Sequence, residues 1–363
     1  MSDMLYEHDC EIWWRWIVGP RRMLFSLVSL MREHRHVVAD TVGGLPWRED
    51  FVGLARDQLQ ADGLYVEELD AARFADEGDL GRALIDGLLP GAAAMAYRGT
   101  TPAQAVEYLR RQSVFHDKVF WVSGLSAARL PRWLALCRRW KSNGHDGLFV
   151  LEADGAALPE QLPGHIATLK PRHMITGHDV QLFCSLLASQ LAVSDLWKQY
   201  IALVTARICP ENAEAAATLL READFLADDF VAQAGALLSG PLRQRDIWHA
   251  QIQIVFPLIE SAQSAYVEAY YPELERALAQ AGEAAIRFGQ RVSNPYDVDL
   301  GLMLHLANQP QGDGKLLYLP DGDYARIHFL RDRRNDLAHM QPCTVAQLHR
   351  IFDGGLLPEI EHL

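Results

Sequence analysis

The chain has 363 residues, 49% of them hydrophobic and 22% charged, a composition that excludes a disordered, collagen-like or coiled-coil protein and, at about 150 residues per domain, leaves room for two or three domains. Lys and Arg total 34 against 47 Asp and Glu, a formal charge of −13, so any binding of phosphate needs a local basic cluster rather than the chain's overall field. The five cysteines (Cys10, Cys137, Cys184, Cys209 and Cys343) are never spaced as C-x-x-C, which argues against a disulfide framework or a zinc knuckle and predicts reduced thiols in the cytoplasm.

The most apolar early stretches, Ile12 to Val18 and Met23 to Met31, fall short of the roughly 18 to 20 residues a membrane span requires. Glu7, Asp9 and Glu11 stand where a signal peptide would be basic, so neither a membrane nor export is expected. Trp13-Trp14-Arg15-Trp16 reads either as packing against a sheet edge or as a partner-binding patch, Trp and Arg being the residues that dominate interface energetics.

From residue 13 to about 171 helical patterns alternate with short β-branched or aromatic runs, which predicts a parallel sheet with crossover helices. Five runs read as strands: His36 to Ala39, Leu64 to Val66, Lys118 to Val122, Gly147 to Leu151 and His165 to Leu169. Near-continuous apolar character is what a strand covered on both faces shows. Amphipathic segments such as Arg22 to His34, Thr101 to Gln112 and Arg132 to Lys141 supply the helices. Glu152 and Asp154, after the fourth run, read as a loop start or as an acid pair at the sheet's carboxyl edge, where ligands of open α/β folds bind.

After Lys170-Pro171 the pattern turns helical. Asp179 to Ile208 and Glu211 to Leu238 are predicted helical, with Cys209-Pro210 and Ser239-Gly240-Pro241 as breakers. A long amphipathic segment runs from Leu242 to Tyr271, with Pro257 expected to kink or break it. Pro272 to Arg291 and Tyr296 to Ala307 follow as helices, then a turn-rich patch from Gln309 to Asp323. The last strong helix starts near Asp323 and runs towards Met340, with Pro342 as a stop, and Thr344 caps a final short one. The histidines, His145, His165, His173 and His178 among them, lack the spacing or the Cys partners of a metal site, and no cofactor is predicted.

The first strand-to-helix junction reads Val37-Val38-Ala39-Asp40-Thr41-Val42-Gly43-Gly44-Leu45-Pro46-Trp47-Arg48. A phosphate-binding loop needs glycines followed by Lys and then Ser or Thr; Gly43 and Gly44 are present, the Lys and hydroxyl are not. The third run ends in Ser123-Gly124, where a metal-binding acid would stand, and Gly312-Asp313-Gly314-Lys315 is a turn. In layout, Ile17-Val18-Gly19-Pro20-Arg21-Arg22 followed by five strands resembles the STAND class of P-loop NTPases. The resemblance implies an inactivated, degenerate nucleotide-binding module; a parallel α/β domain unrelated to that class is the other reading.

Near the C-terminus, Leu330-Arg331-Asp332-Arg333-Arg334-Asn335-Asp336-Leu337-Ala338-His339-Met340 carries Arg-Asn-x-x-x-His. Together with the preceding helices, including Ile252 to Glu260, it resembles the HEPN family of small helical domains, many of them metal-independent ribonucleases. Cleaving RNA without a metal requires a proton-transfer group near neutral pKa, for which His suits, and a fixed cation against charge developing on the phosphate. The resemblance assigns these roles to His339 and Arg334, with Asn335 in support and Glu260 as an orienting candidate. It implies attack by the 2′-OH and a 2′,3′-cyclic phosphate product.

Five residues at about 100° each put Arg334 and His339 about 140° apart, whereas Asn335 and His339 share a face. One helix therefore does not close the site, and the resemblance implies a homodimer that does. Arg326, Arg331 and Arg333 extend a basic island that would serve as the RNA footprint. The predicted class is α/β plus all-α: a P-loop-like parallel-sheet domain (1–171), a helical linker or lid (172–241) and a HEPN-like helical bundle (242–363). Such an architecture suggests a conditional ribonuclease effector of a toxin–antitoxin or antiviral defence system. The alternative is a non-catalytic scaffold that binds partner proteins or RNA in a defence or signalling complex.

Overall fold

The computed structural model describes residues 9–41, 44–74, 78–153, 158, 161–287, 289–312 and 314–358; Gly43, Asp154 and Asp313 lie outside these. Contacts divide the chain into two compact units. The first extends to Phe183 and takes in Glu211–Glu214; the second comprises Cys184–Pro210 and the chain from Ala215 on.

In the first unit each of the five apolar runs is a strand: β1 (His36–Asp40), β2 (Tyr65–Asp70), β3 (Lys118–Leu125), β4 (Leu148–Ala153) and β5 (Ile166–Leu169). All pair in parallel, in the order β2-β3-β4-β1-β5. Every residue of β1 and β4 is buried, as expected of central strands covered on both faces. β2 lies at an edge and buries only Leu69.

α1 (Val18–Arg32) precedes β1, and the longer helices between the strands are α2 (Arg48–Ala61), α3 (Leu80–Leu88), α4 (Pro102–Arg110) and α5 (Leu130–Arg139). α1 buries Met23, Leu24, Leu27, Val28 and Met31, the three-and-four spacing of one helical stripe. α4 begins in a capping box between Thr101 and Gln104, which satisfies two N-terminal amides. On one side of the sheet Phe115, Phe120, Trp133, Trp140 and Phe149 pack ring against ring, Trp140 and Phe149 edge-on at 5.1 Å.

His36 is wholly buried at the start of β1. Its Nδ1 accepts from the Phe149 amide at 3.1 Å, so the ring proton sits on Nε2, which donates to the Trp140 carbonyl at 2.5 Å. Burial lowers its pKa to about 4, keeping the imidazole neutral.

The unit boundary falls within α6 (Gly177–Ala188). Beyond it come α7 (Asp195–Ile208), α8 (Ala213–Glu222), α9 (Phe230–Leu237), α10 (Gln244–Ala269), α11 (Tyr271–Gln280), α12 (Leu300–Asn308), α13 (Asp321–Ala338) and α14 (Val345–Phe352). The parallel α/β region followed by helices is the architecture the sequence predicts.

Several details differ from the sequence reading. The stretch 179–208 is two helices, because Ser194 takes an extended backbone and Asp195 opens a new first turn. The segment 272–291 is helical only to Gln280; Gly282 and Gly289, both at positive φ, carry the chain into a short antiparallel pair, Ile286–Arg287 with Gln290–Arg291. α10 continues through Pro257, giving up one backbone hydrogen bond. Thr344 caps α14 through a capping box with Gln347, as predicted. No described helix is long and apolar enough to cross a membrane.

Candidate functional site

The strand order reverses around β1: the chain leaves β1 for the far edge at β2, returns through β3 and β4, then passes to β5 on β1's other side. Clefts at such reversals, outside the carboxyl ends of the strands, are the ligand positions of open α/β sheets. One of about 570 Å³ lies here, lined among others by Thr41, Gly44, Leu45, Arg48, Ser126 and Glu152.

Its charges are already matched. Arg48, the first residue of α2, donates from Nε to both oxygens of Glu152 at 2.9 and 3.0 Å, and from Nη1 to Glu49 at 2.7 Å. The Trp121 indole donates to the same Glu152 at 2.5 Å. Burial would lower the Arg48 pKa, but the carboxylates of Glu152 and Glu49 more than offset it and hold the guanidinium above its ordinary value. Arg48 is the one cation among the described lining residues, and the chain's own carboxylate occupies it where a phosphate would have to bind. Glu152 is thus ion-paired, not a free acid. Beside the cleft, Asp40 pairs through Oδ2 with Arg172 at 3.2 Å, while its buried Oδ1 has no hydrogen-bond partner among the described residues.

The Arg-Asn-x-x-x-His residues lie at the carboxyl end of α13. Asp321 and Asp323 occupy the helix's first turn, complementing its dipole. It ends on His339, whose amide bonds the Asn335 and Asp336 carbonyls at 3.0 Å. Met340 then takes φ +58, and the amides of Met340 and Gln341 close back onto Leu337 and Asp336 at 3.2 and 2.9 Å. This is a Schellman closure in which Met stands at the left-handed position that usually takes Gly.

α10 clamps both sides of that turn. The Trp248 indole donates to the Leu337 carbonyl at 2.6 Å, and the buried Gln251 side chain bonds the Cys343 amide at 2.6 Å and its carbonyl at 3.0 Å. Between these clamps His339 is exposed, and its imidazole makes no hydrogen bond or ion pair among the described residues. Asn335 is exposed one turn earlier on the same face. Arg334 is turned away, its Nη2 3.5 Å from Oδ2 of Asp299, the residue whose Oδ1 caps α12 at the Leu302 amide, 2.7 Å. No hydrogen bond joins the Arg334, Asn335 and His339 side chains among the described residues.

Each remaining arginine of α13 has an acidic partner. Arg326 binds the buried Asp323 at 3.3 Å, which also accepts from Tyr270 at 2.5 Å and Tyr266 at 3.5 Å; burial raises the pKa of both phenols, followed by the Asp323 charge at Tyr266 and the hydrogen bond to Asp323 at Tyr270. Arg331 pairs with Asp332 and Arg333 with Asp336, each at 2.7 Å. α13 carries four Asp (321, 323, 332, 336) and four Arg (326, 331, 333, 334), a formal charge of zero.

Glu260 is exposed on α10, nine residues beyond Gln251, roughly 14 Å further along the helix axis; the side chains that fix the His339 turn are Trp248 and Gln251. The sequence does place these two at i, i+3 on one helix face, but their partners are backbone groups about ninety residues away, for which no residue pattern exists. Among the described residues no group of three His, Cys, Asp or Glu side chains is placed to hold a metal ion.

No protein-family model matches the chain, and no curated protein matches it. A structure of Drosophila ORC bound to DNA is similar at 12% identity and a TM-score of 0.39, covering 96% of this chain and 65% of that one. A likeness of that degree carries no argument about fold or function.

Proposed function

We propose that the protein is a conditional, metal-independent endoribonuclease of the HEPN kind, an effector of a toxin or antiviral defence system whose α/β unit is a degenerate, STAND-like regulatory module. The observation that carries this reading is the His339 imidazole: exposed, without a partner among the described residues, and held between two clamps from α10. A general acid or base must reach the proton it moves, and an exposed imidazole with no competing partner on a fixed backbone can do so.

In this reading His339 moves the proton of the 2′-OH or of the leaving oxygen, Arg334 stabilises charge on the phosphate after leaving Asp299, and Asn335 orients the substrate beside His339. The angular separation of Arg334 and His339 on α13 supports a second copy completing the cleft. The matched pair Arg48–Glu152 supports a module that does not hydrolyse nucleotide, because the described lining of the cleft offers a phosphate no unpaired cation.

The second reading, a non-catalytic scaffold that binds partner proteins or RNA, is favoured by the acidic partner on every arginine of α13. Inducible expression of wild type and His339→Ala in bacteria separates the two. Growth arrest with fragmented RNA in the wild type alone is the expected result; equal harmlessness of both favours the scaffold.

A further inference from the structure

The tryptophans at the start of the first unit have separate fates. Trp13 packs on Phe183 at 5.4 Å and Trp14 on Phe51 at 4.5 Å, its indole donating to the Pro46 carbonyl at 3.0 Å. Trp16, which closes a π-helical turn over Ile12–Trp16, is 70% exposed. Such turns are rare and concentrate at functional sites. Val18 and Phe25, the next exposed apolar side chains, are 59% and 56% accessible. So the run is split: Trp13 and Trp14 pack on α6 and α2 rather than on a sheet edge, and Trp16 stands outward.

A second outward face runs along α1. Val18, Arg22, Phe25 and Ser29 fall at i, i+4, i+7 and i+11, one stripe of the helix, and a groove of about 450 Å³ runs along it, lined by Val18, Arg21, Arg22, Phe25, Ser26 and Ser29. Arg21 and Arg22 are exposed, and their side chains have no ion-pair or hydrogen-bond partner among the described residues. α1 contains no acidic residue, in a chain whose net charge is −13. The stripe is also held rigid at its start. The Gly19 amide donates to Asp179 at 2.9 Å, and a Cβ on Gly19 would lie 2.6 Å from Asp179 and from the Met174 carbonyl, so only glycine permits this approach.

We propose that the stripe Val18, Arg21, Arg22 and Phe25 is a docking surface for an acidic amphipathic helix of a partner protein. Apolar anchors at helical spacing beside unpaired cations fit a helix laid along α1, its leucine-like residues against Val18 and Phe25 and its carboxylates against Arg21 and Arg22. A two-fold pairing of α1 with a second copy would set Arg21 and Arg22 against their own likeness. An anionic membrane would have to accept a strongly acidic chain at its surface. A nucleic acid would satisfy the arginines and leave Val18 and Phe25 without apolar partners.

The probes are a synthetic amphipathic helix with Leu on one face and Glu on the other, and its twin with Lys at every Glu, each fluorescently labelled and titrated with the full chain. Saturable binding of the Glu peptide is expected, weakened by added salt, with the Lys twin at least roughly tenfold weaker. Phe25→Ala, and separately Arg21→Glu with Arg22→Glu, should each weaken the Glu peptide by roughly tenfold or more; all three positions are exposed, and Arg276→Glu on α11 serves as the surface control. Equal binding of the twins, no saturable binding, or binding unchanged by these variants overturns the proposal. So does dependence on the same residues of self-association in sedimentation, of single-stranded RNA binding, or of binding to phosphatidylserine vesicles when the Glu peptide does not bind.

Discussion

The sheet-edge cleft and the end of α13 both bring polar side chains to the surface, but Arg48 in the first is held by a carboxylate and His339 in the second is not. In the cleft Arg48 is the only described lining cation and is held by both oxygens of Glu152, with the Trp121 indole on the same carboxylate. At the end of α13, His339 has no partner among the described residues while its backbone is fixed on both sides by Trp248 and Gln251. Position in the fold alone would favour the cleft. Hydrogen bonding favours the helix end, since a polar group already satisfied within the chain must lose that bond before it can serve a ligand.

The contrast predicts that substitutions at the two places fail in different measurements. His339→Ala should lower RNA cleavage by roughly 10² to 10⁴-fold while shifting folding stability by less than about 0.5 kcal/mol, read by cleavage assay and denaturant titration on one preparation. A stability loss matching the activity loss would make His339 structural and dissolve the contrast.

The buried His36 gives the next largest effect and sharpens the difference between two imidazoles. Its folded pKa of about 4 lies below the ordinary 6.5, so between those values the unfolded chain binds a proton that the folded chain does not. Stability is therefore full above about 6.5 and falls as pH drops towards 4, by about 3 kcal/mol in total from this group. Denaturant midpoints measured across that window, with His36→Gln as the comparison, should show the acid loss shrink in the variant.

Glu152→Gln should cost roughly 2–3 kcal/mol, below the range for a fully buried pair because 26% of the Arg48 side chain remains in water. RNA cleavage should be unaffected; an unfolding curve that does not move would mean the cleft is open to ligands. The smallest effect is expected at Met340, whose positive φ suits glycine. Met340→Gly should raise stability by about 0.5–1 kcal/mol, seen as a small rise in Tm.

The central strands were legible because burial on both faces leaves an uninterrupted apolar run; His36–Asp40 and Leu148–Ala153 are buried at every residue. β2 was only half legible. It continues from Val66 through Glu67, Glu68, Leu69 and Asp70 because an edge strand faces water, and its carboxylates find Lys118, Arg56 and Arg48 on neighbouring elements. The end of the last long helix was readable from Pro342 and Thr344, whereas the left-handed Met340 was not, since the residue type points elsewhere. Neither was the Arg48–Glu152 pair, whose members are 104 residues apart and meet only because β4 lies beside β1. Strand order is not written in local periodicity.

The most direct test is to incubate end-labelled RNA in EDTA with wild type, His339→Ala and Arg334→Ala, and to map the new ends. The account predicts cleavage by the wild type that leaves 2′,3′-cyclic phosphates and is lost in both variants. Cleavage that persists in the variants, or that EDTA abolishes in the wild type, would contradict it.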